Sequence, residues 1–354
     1  MKKVAIVAGG DSSEYEVSLR SAAGIYGFID KTKYSPVIVC LHGKEWKACV
    51  NTAAACSAGL NPADSTQWTP IDRNDFSYTD VAGTHHTFDY AYITIHGTPG
   101  ENGILQGYFD LIGLPYSCCD VLPAAITFNK YFCNHYLHGF GVNISHSILL
   151  RRGESVSNER VLEETGLPCF IKSNVGGSSF GCTKVKTAAD IQPAIETAFK
   201  EGDEVIIEAL MTGTEVTSGM YSVRDSAAKE GRRDVVFPIT EVVTSNEFFD
   251  YDAKYKGQVD EITPARISDS LRDAIQAQTR QIYAILGCKG IIRVDYILVP
   301  TSEPDDAAKH IADGHRIMLL EVNTTPGMTA TSFIPQQVRA AGLSMTQVLS
   351  DIIG

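Results

Sequence analysis

The sequence predicts an α/β (α+β) chain. An open parallel sheet with flanking helices comes first, followed by two smaller units in which helices cover antiparallel strands. Three observations predict this. Short apolar runs alternate with helix-compatible segments over residues 4–96, the pattern of buried strands and surface helices. From residue 123 onward, extended runs are interleaved with single helices, as in two-layer domains. A length of 354 residues, with 44% hydrophobic and 20% charged residues, accommodates two or three domains and excludes a disordered, collagen-like or coiled-coil chain.

Residues 4–8 form the first strand: the apolar run is short and ends at Gly9-Gly10, and acidic residues follow, so it does not read as a signal peptide. A helix over 16–28 and a strand over 36–40 come next. Residues 42–88 have weak periodicity and predict one small hairpin plus loops. The strand at 90–96 runs into HGTPGENGILQGYFDLIGLPY, so both Gly9-Gly10 and His96-Gly97 stand at strand carboxyl ends, where open sheets bind ligands. A helix over 123–138, a short helix near 157–166 and a strand at 168–173 precede the irregular NVGGSSFG. A helix at 187–200 and a strand at 204–210 complete this unit. Three extended stretches, 215–223, 235–243 and 290–299, then surround a loop at 246–258 and a helix at 268–287. The last strand is 316–321, followed by an NTTPGM loop and two short helices; 224–234 and 301–315 read as solvent loops.

The formal net charge of −12 argues against a dedicated nucleic-acid or anionic-membrane binder. No window approaches the ~18 consecutive apolar residues of a membrane span. Nine cysteines, an odd number without a CxxC pair, read as reduced thiols in a cytoplasmic protein.

Five segments carry chemistry. KSNVGGSSFG (172–181) follows a strand, and its backbone N–H groups, with Lys172 beside them, suit phosphate oxygens; a plain solvent loop is the alternative. In GIIRVDYILV, Arg293 and Asp295 share one strand face, and Glu321 and Asn323 share a face in RIMLLEVNTTPGM. Adjacent strands would converge Asp295, Glu321 and Asn323 as hard oxygen donors for magnesium on nucleotide phosphates, with Arg293 beside them. A solvated polar stripe is the alternative. Glu14 and Glu16 either complement a helix dipole or bind a substrate amine. FFDYDAKYKG reads as a lid, with Lys254 and Tyr255 closing over a site, or as a hairpin crossover.

GGDSSEYEVSL (9–19), HGTPGENGILQG (96–107), KSNVGGSSFG, FFDYDAKY (248–255), GIIRVDY (290–296) and LLEVNTTPGMTATS (319–332) occur in an order and spacing that resemble the D-alanine–D-alanine ligase family of the ATP-grasp superfamily, over essentially the whole chain. The resemblance implies three domains: 1–121 with the first D-alanine site, a central 122–211 ATP-grasp subdomain, and a C-terminal 212–354 subdomain with lid and metal ligands. It implies ATP and two magnesium ions, with manganese able to substitute, D-alanine as substrate, and a homodimer. Lys130, Lys172 and Ser179 would meet phosphates, Glu208, Ala209 and Leu210 would frame adenine, and Glu215 would hold the ribose. Asp295, Glu321 and Asn323 would hold the metals, and Lys254 would reach the γ-phosphate. Glu14, with His96 in the same substrate pocket, would take the first ammonium. Arg293 and the N–H of Gly327 would stabilise oxygens at the reacting carbon. Ser332 and the N–H of Phe333 would hold the second carboxylate. Tyr255, Ser178 and Glu14 would tie lid, loop and N-terminal domain together.

The implied reaction makes an acyl phosphate, which the second D-alanine amine attacks. Departures from the family pattern are Ala209 for a hinge lysine, Phe333 for a leucine and Pro99 in the HGTP segment. Tyr255, where D-lactate-using relatives carry histidine, points to dipeptide synthesis.

Overall fold

The computed structural model describes residues 1–64, 66–176, 181–225, 231–244 and 259–354. Three sheets organise them. The first has seven strands in the spatial order His85–His86, Ser77–Thr79, Trp68–Asp72, Glu45–Cys49, Tyr34–His42, Lys2–Gly9, Tyr90–Ile93. Only Lys2–Gly9 runs parallel to its two neighbours. From Tyr34–His42 outward the pairing is antiparallel. The expected open parallel sheet is therefore a parallel centre extended by a meander, and residues 42–88 hold four strands and the helix Thr52–Ala58 rather than one hairpin. These strands are too short to show a period, but they carry buried Trp68, Ile71, Phe76 and Tyr78. Phe76 lies edge-on to Phe109, with ring centroids 4.9 Å apart, and such contacts add to ordinary burial.

The second sheet is antiparallel: Thr183–Val185, Cys169–Ser173, Glu204–Ala209, Ser147–Arg151. Helices Asn158–Glu164 and Ile191–Ala198 flank it; Ser157 caps the former, accepting from the Arg160 N–H at 3.2 Å. The third sheet has eight strands, with Val259–Ile262, Thr240–Thr244, Thr214–Arg224, Ile292–Pro300, His315–Asn323 and Ile311–Ala312 along its path. Arg232–Val236 also pairs with Thr214–Arg224, and Asn143–Ile144 pairs with His315–Asn323. The 235–243 stretch breaks into two strands at Phe237-Pro238, since proline cannot donate to the ladder. The 123–138 helix likewise divides into Val121–Phe128 and Lys130–His138, because Asn129 is extended and caps the second.

The long helix Asp269–Leu286 covers one face of the third sheet, burying Ile275 and Ile282 against Val294, Tyr296 and Leu319. Each such side chain contributes about 1.5–3 kcal/mol. The C-terminal helices Phe333–Ala340 and Met345–Ile353 join the core of the first sheet, where Val348 and Leu349 meet the side chains of Val4 and Ile25. Lys2 Nζ donates to the Ile353 carbonyl at 2.6 Å, Tyr90 Oη to Ile352 O at 3.1 Å, and Thr346 Oγ1 to Phe28 O at 2.8 Å. Both chain ends thus close one core.

Candidate active site

Two neighbouring strands set the chemistry. Ile292–Pro300 and His315–Asn323 pair antiparallel, with Arg293 opposite Asn323 and Asp295 opposite Glu321. Their alternate residues Val294, Tyr296 and Val322 are buried in the core, so the polar four face the opposite side of the sheet, into a cleft of about 1190 Å³. The pairing expected from the sequence is present, and the polar stripe faces that cleft. Arg293 donates from Nε to Asp295 Oδ1 at 2.9 Å and from Nη2 to Oδ2 at 2.7 Å; its Nη2 lies 3.9 Å from Glu321 Oε1. Burial opposes the guanidinium charge, but Asp295 and then Glu321 outweigh it and hold the pKa above its ordinary value. Asn323 Nδ2 lies 3.2 Å from Asp295 Oδ2 and 3.4 Å from Glu321 Oε1. Turning this amide over presents its oxygen to the same point, and an amide's two ends are assigned from their neighbours. Two carboxylates and an amide oxygen form a hard donor set that suits magnesium, leaving positions for phosphate oxygens and water. Among the described residues no cluster of three or more His, Cys, Asp or Glu competes with it.

Thr217 was not among the expected site residues. Its Oγ1 donates to Asp295 Oδ1 at 2.5 Å from the adjacent strand. Period-two spacing from Glu215 could have flagged it, because both residues face the cleft.

Towards the second sheet the walls are cationic. Lys172, on Cys169–Ser173, places Nζ 2.5 Å from Glu208 Oε2 on the neighbouring Glu204–Ala209. Burial alone would lower the ammonium's pKa, yet Glu208 foremost holds it above the ordinary value. Lys130 opens its helix, donates from Nζ to the Gly176 carbonyl at 2.5 Å and stands 3.9 Å from Glu321 Oε2. Burial lowers its pKa, with Glu321 opposing. The loop is anchored by Asn174, which the sequence did not single out: its Oδ1 accepts from the Tyr131 N–H at 2.9 Å and its Nδ2 donates to Glu204 Oε2 at 2.7 Å. Ala209 lines the cleft, but its N–H is spent on His146 O at 2.9 Å and its carbonyl accepts from Ser145 Oγ at 2.7 Å. Its N–H is thereby used, while the carbonyl, with two lone pairs, can accept a second hydrogen bond.

The first sheet supplies the other end. Glu14 sits at the N-terminus of helix Tyr15–Phe28, buried and lining the cleft, with no side-chain cap bond. With Glu16 in the first turn, the placement also suits the dipole-complementing alternative. His96 is buried against Ser21 Oγ, 3.3 Å from its Nε2, and burial lowers its pKa despite Glu14. Gly10 holds a φ of +98°, where a Cβ would stand 2.8 Å from Thr98 O. Glu101 lies within the quoted HGTPGENG segment but was assigned no role. Its Oε2 accepts from the Gly97 N–H at 2.7 Å and its Oε1 from Thr325 Oγ1 at 2.7 Å. Burial first, then the Glu14 charge, raises its pKa to about 7.

Thr325 belongs to the loop that runs from Asn323 to Gly327, so Glu101 ties the two ends of the cleft together. A Cβ on Gly327 would approach Ser332 Oγ to 2.9 Å, which explains glycine there. Ser332 Oγ pairs with Thr329 Oγ1 at 2.7 Å, and Phe333 lies under the Arg293 guanidinium at 5.3 Å. The cleft therefore gathers Glu14, His96, Lys130, Lys172, Glu208, Ala209, Leu210, Glu215, Arg293, Asp295, Glu321, Asn323, Gly327, Ser332 and Phe333. Ser178, Ser179, Lys254 and Tyr255 lie outside the described residues.

Known proteins resemble the chain in sequence and in fold. Sequence-family profiles described as D-ala D-ala ligase N-terminus and D-ala D-ala ligase C-terminus match residues 3–119 and 136–354. A Bacteroides fragilis protein named D-alanine–D-alanine ligase is 59% identical over 352 residues, 99% of this chain and 98% of its own length. A Phocaeicola vulgatus protein of the same name is 56% identical with the same coverage. Among solved structures, the VanG D-Ala:D-Ser ligase from Enterococcus faecalis matches with a TM-score of 0.82 at 31% identity, covering 100% of this chain and 98% of that one.

Proposed function

Because the chain belongs to the D-alanine–D-alanine ligase family of the ATP-grasp superfamily, we propose that it joins two D-alanine molecules at the expense of ATP, releasing ADP and phosphate for peptidoglycan precursor synthesis. The observation that carries this reading is the strand register that sets Arg293, Asp295, Glu321 and Asn323 side by side, with Lys130 next to them and Glu14 across the same cleft.

In this reading Lys130 and Lys172 hold the phosphates, Glu208, Ala209 and Leu210 frame adenine, and Glu215 holds the ribose. Glu14 takes the ammonium of the first D-alanine beside His96. Its carboxylate attacks the γ-phosphorus to give an acyl phosphate. Asp295, Glu321 and Asn323 are the residues that hold the divalent ions. When bound, magnesium neutralises the triphosphate and polarises the transferred phosphoryl group. Arg293 and the Gly327 N–H stabilise the oxygens of the tetrahedral carbon formed when the second amine attacks. Ser332 and the Phe333 N–H hold the second carboxylate. Lys254, Tyr255, Ser178 and Ser179 close the site from lid and glycine-serine loop, keeping water from the acyl phosphate.

The division into 1–121, 122–211 and 212–354 belongs to the same reading, and the three sheets support it. Among the described residues no helix is long and apolar enough to cross a membrane; the cytoplasm, where ATP is made, is the proposed location. A homodimer is supported by the apolar Ile104, Leu111 and Leu122, 60%, 88% and 75% exposed on two contacting helices.

A coupled assay tests the function. ADP release is followed with D-alanine, L-alanine, D-serine and D-lactate, and products are identified by mass. D-alanine alone should give ADP, phosphate and the dipeptide; equal turnover with L-alanine, or none with D-alanine, overturns the reading.

A further inference from the structure

Among the carboxylates of the cleft that the proposed reaction leaves without a task is Glu261. Glu261 lies on the edge strand Val259–Ile262, opposite Val242, which is opposite Glu215, which is opposite Ile297. This cross-strand row lies on the cleft side of the sheet, and all four residues line the cleft. Glu261 is half-buried. Its Oε2 accepts from Gln336 Nε2, and the same nitrogen donates to the Thr331 carbonyl at 2.7 Å. The carboxylate is therefore two hydrogen bonds from the backbone adjoining Ser332. Among the described residues Gln336 is its only hydrogen-bond donor; the one cation acting on it is the Arg293 guanidinium. Burial raises its pKa, with Gln336 and Arg293 pulling the other way, so the site lacks compensating positive charge.

We propose that Glu261 is a specificity-determining residue that receives the ammonium of the second amino acid while Ser332 and the Phe333 N–H hold its carboxylate. The inference rests on the ligase reading above. A zwitterionic amino acid brings a positive group on the carbon next to its carboxylate, and Gln336 links Glu261 to the Thr331 carbonyl, next to Ser332, in the same cleft. A 2-hydroxy acid of the same shape brings no charge and leaves the carboxylate half-buried and unpaired, which is the strongest way for a polar site to refuse an analogue. Selection of amine over hydroxyl would then be written in the edge strand as well as in the lid.

The test supplies ATP, magnesium and D-alanine with and without D-lactate, and measures the KM for D-alanine as acceptor and the yields of dipeptide and depsipeptide by mass. Glu261→Gln keeps the shape and can still accept from Gln336. It should raise the acceptor KM about tenfold or more, the size of one charge-assisted hydrogen bond, and shift products toward the depsipeptide. The KM for ATP should stay within about twofold, since no nucleotide contact is lost. Glu261→Asp should restore part of the preference. Gln336→Leu, which removes the strut but not the charge, should keep it. An unchanged acceptor KM and product ratio in Glu261→Gln overturns the proposal, as does an equal shift in Gln336→Leu. Should Glu261→Gln not fold, an unchanged acceptor KM and product ratio in Glu261→Ala overturns it instead. No dipeptide from the unaltered enzyme overturns the ligase reading and this one with it.

Discussion

At the sheet end of the cleft, side chains stand on strands and are gripped by opposite charge: Lys172 by Glu208, Arg293 by Asp295. At the other end, Glu14, His96, Glu101 and Thr325 come from loops and a helix start, and uncharged groups hold His96, Glu101 and Thr325. The sheet end is rigid in position and costly to unbalance. The loop end depends on protonation and on contacts worth about 1 kcal/mol each. A site that must grip triphosphate and metal, yet admit and release a small amino acid, divides its stiffness in this way.

The largest break in this contrast is Lys172→Met. It leaves Glu208, 7% exposed, without its partner, and should lower stability by about 3–5 kcal/mol. Denaturant unfolding should show the loss, and Glu208→Gln in the same chain should recover most of it. Recovery of nothing would mean that the pair is not the source. Next in size is Glu321→Gln, which removes a proposed metal-bridging charge while the strand pairing holds the fold. Metal-dependent ADP release should fall about 10²–10³-fold with an unchanged circular dichroism spectrum; more than about a tenth of the rate remaining would assign residue 321 to a solvated stripe.

Glu101 sharpens the contrast through pH. Its folded pKa, about 7, lies above the ordinary 4.5. The folded state therefore binds the proton more tightly, and this contribution to stability is full below pH 4.5 and disappears as pH rises through 7. Glu101→Gln, neutral throughout, should match the parent in acid and gain on it in melting temperature between those limits, levelling above. A difference independent of pH would show that the carboxyl is not perturbed. The smallest effect belongs to Thr325→Val, which loses the bonds to Glu101 and to Ile95 O, 2.7 and 3.2 Å. About 0.5–1.5 kcal/mol should be lost, with the metal dependence of ADP release unaltered.

The same division decides what could be read from the sequence. Arg293, Asp295, Glu321 and Asn323 announce themselves by period two among apolar neighbours, and strand pairing does the rest. Asn174 and Glu101 gave no such signal, since their partners, Glu204 and Thr325, are 30 and 224 positions away. The meander of residues 42–88 was illegible because its strands run to only two to five residues around buried aromatics. Ala209 shows a subtler gap: the sequence gives the residue but not that its backbone is already bonded. Glu261 has no local pattern either, and only pairing across Val242 turns it into the cleft.

The closure of one core by segments far apart in the sequence has a consequence for biosynthesis. The apolar side of helix Tyr15–Phe28 meets residues of Met345–Ile353, which the ribosome adds some 318 positions later. At roughly 5–20 residues per second, the N-terminal sheet waits on the order of tens of seconds with that side uncovered. Folding of the first sheet is thus completed only once that helix has emerged, whatever its own strands have done by then. A nascent chain paused before Met345 should be shielded by chaperones and cut by protease between the first and second sheets, and resumed synthesis through Ile353 should abolish both.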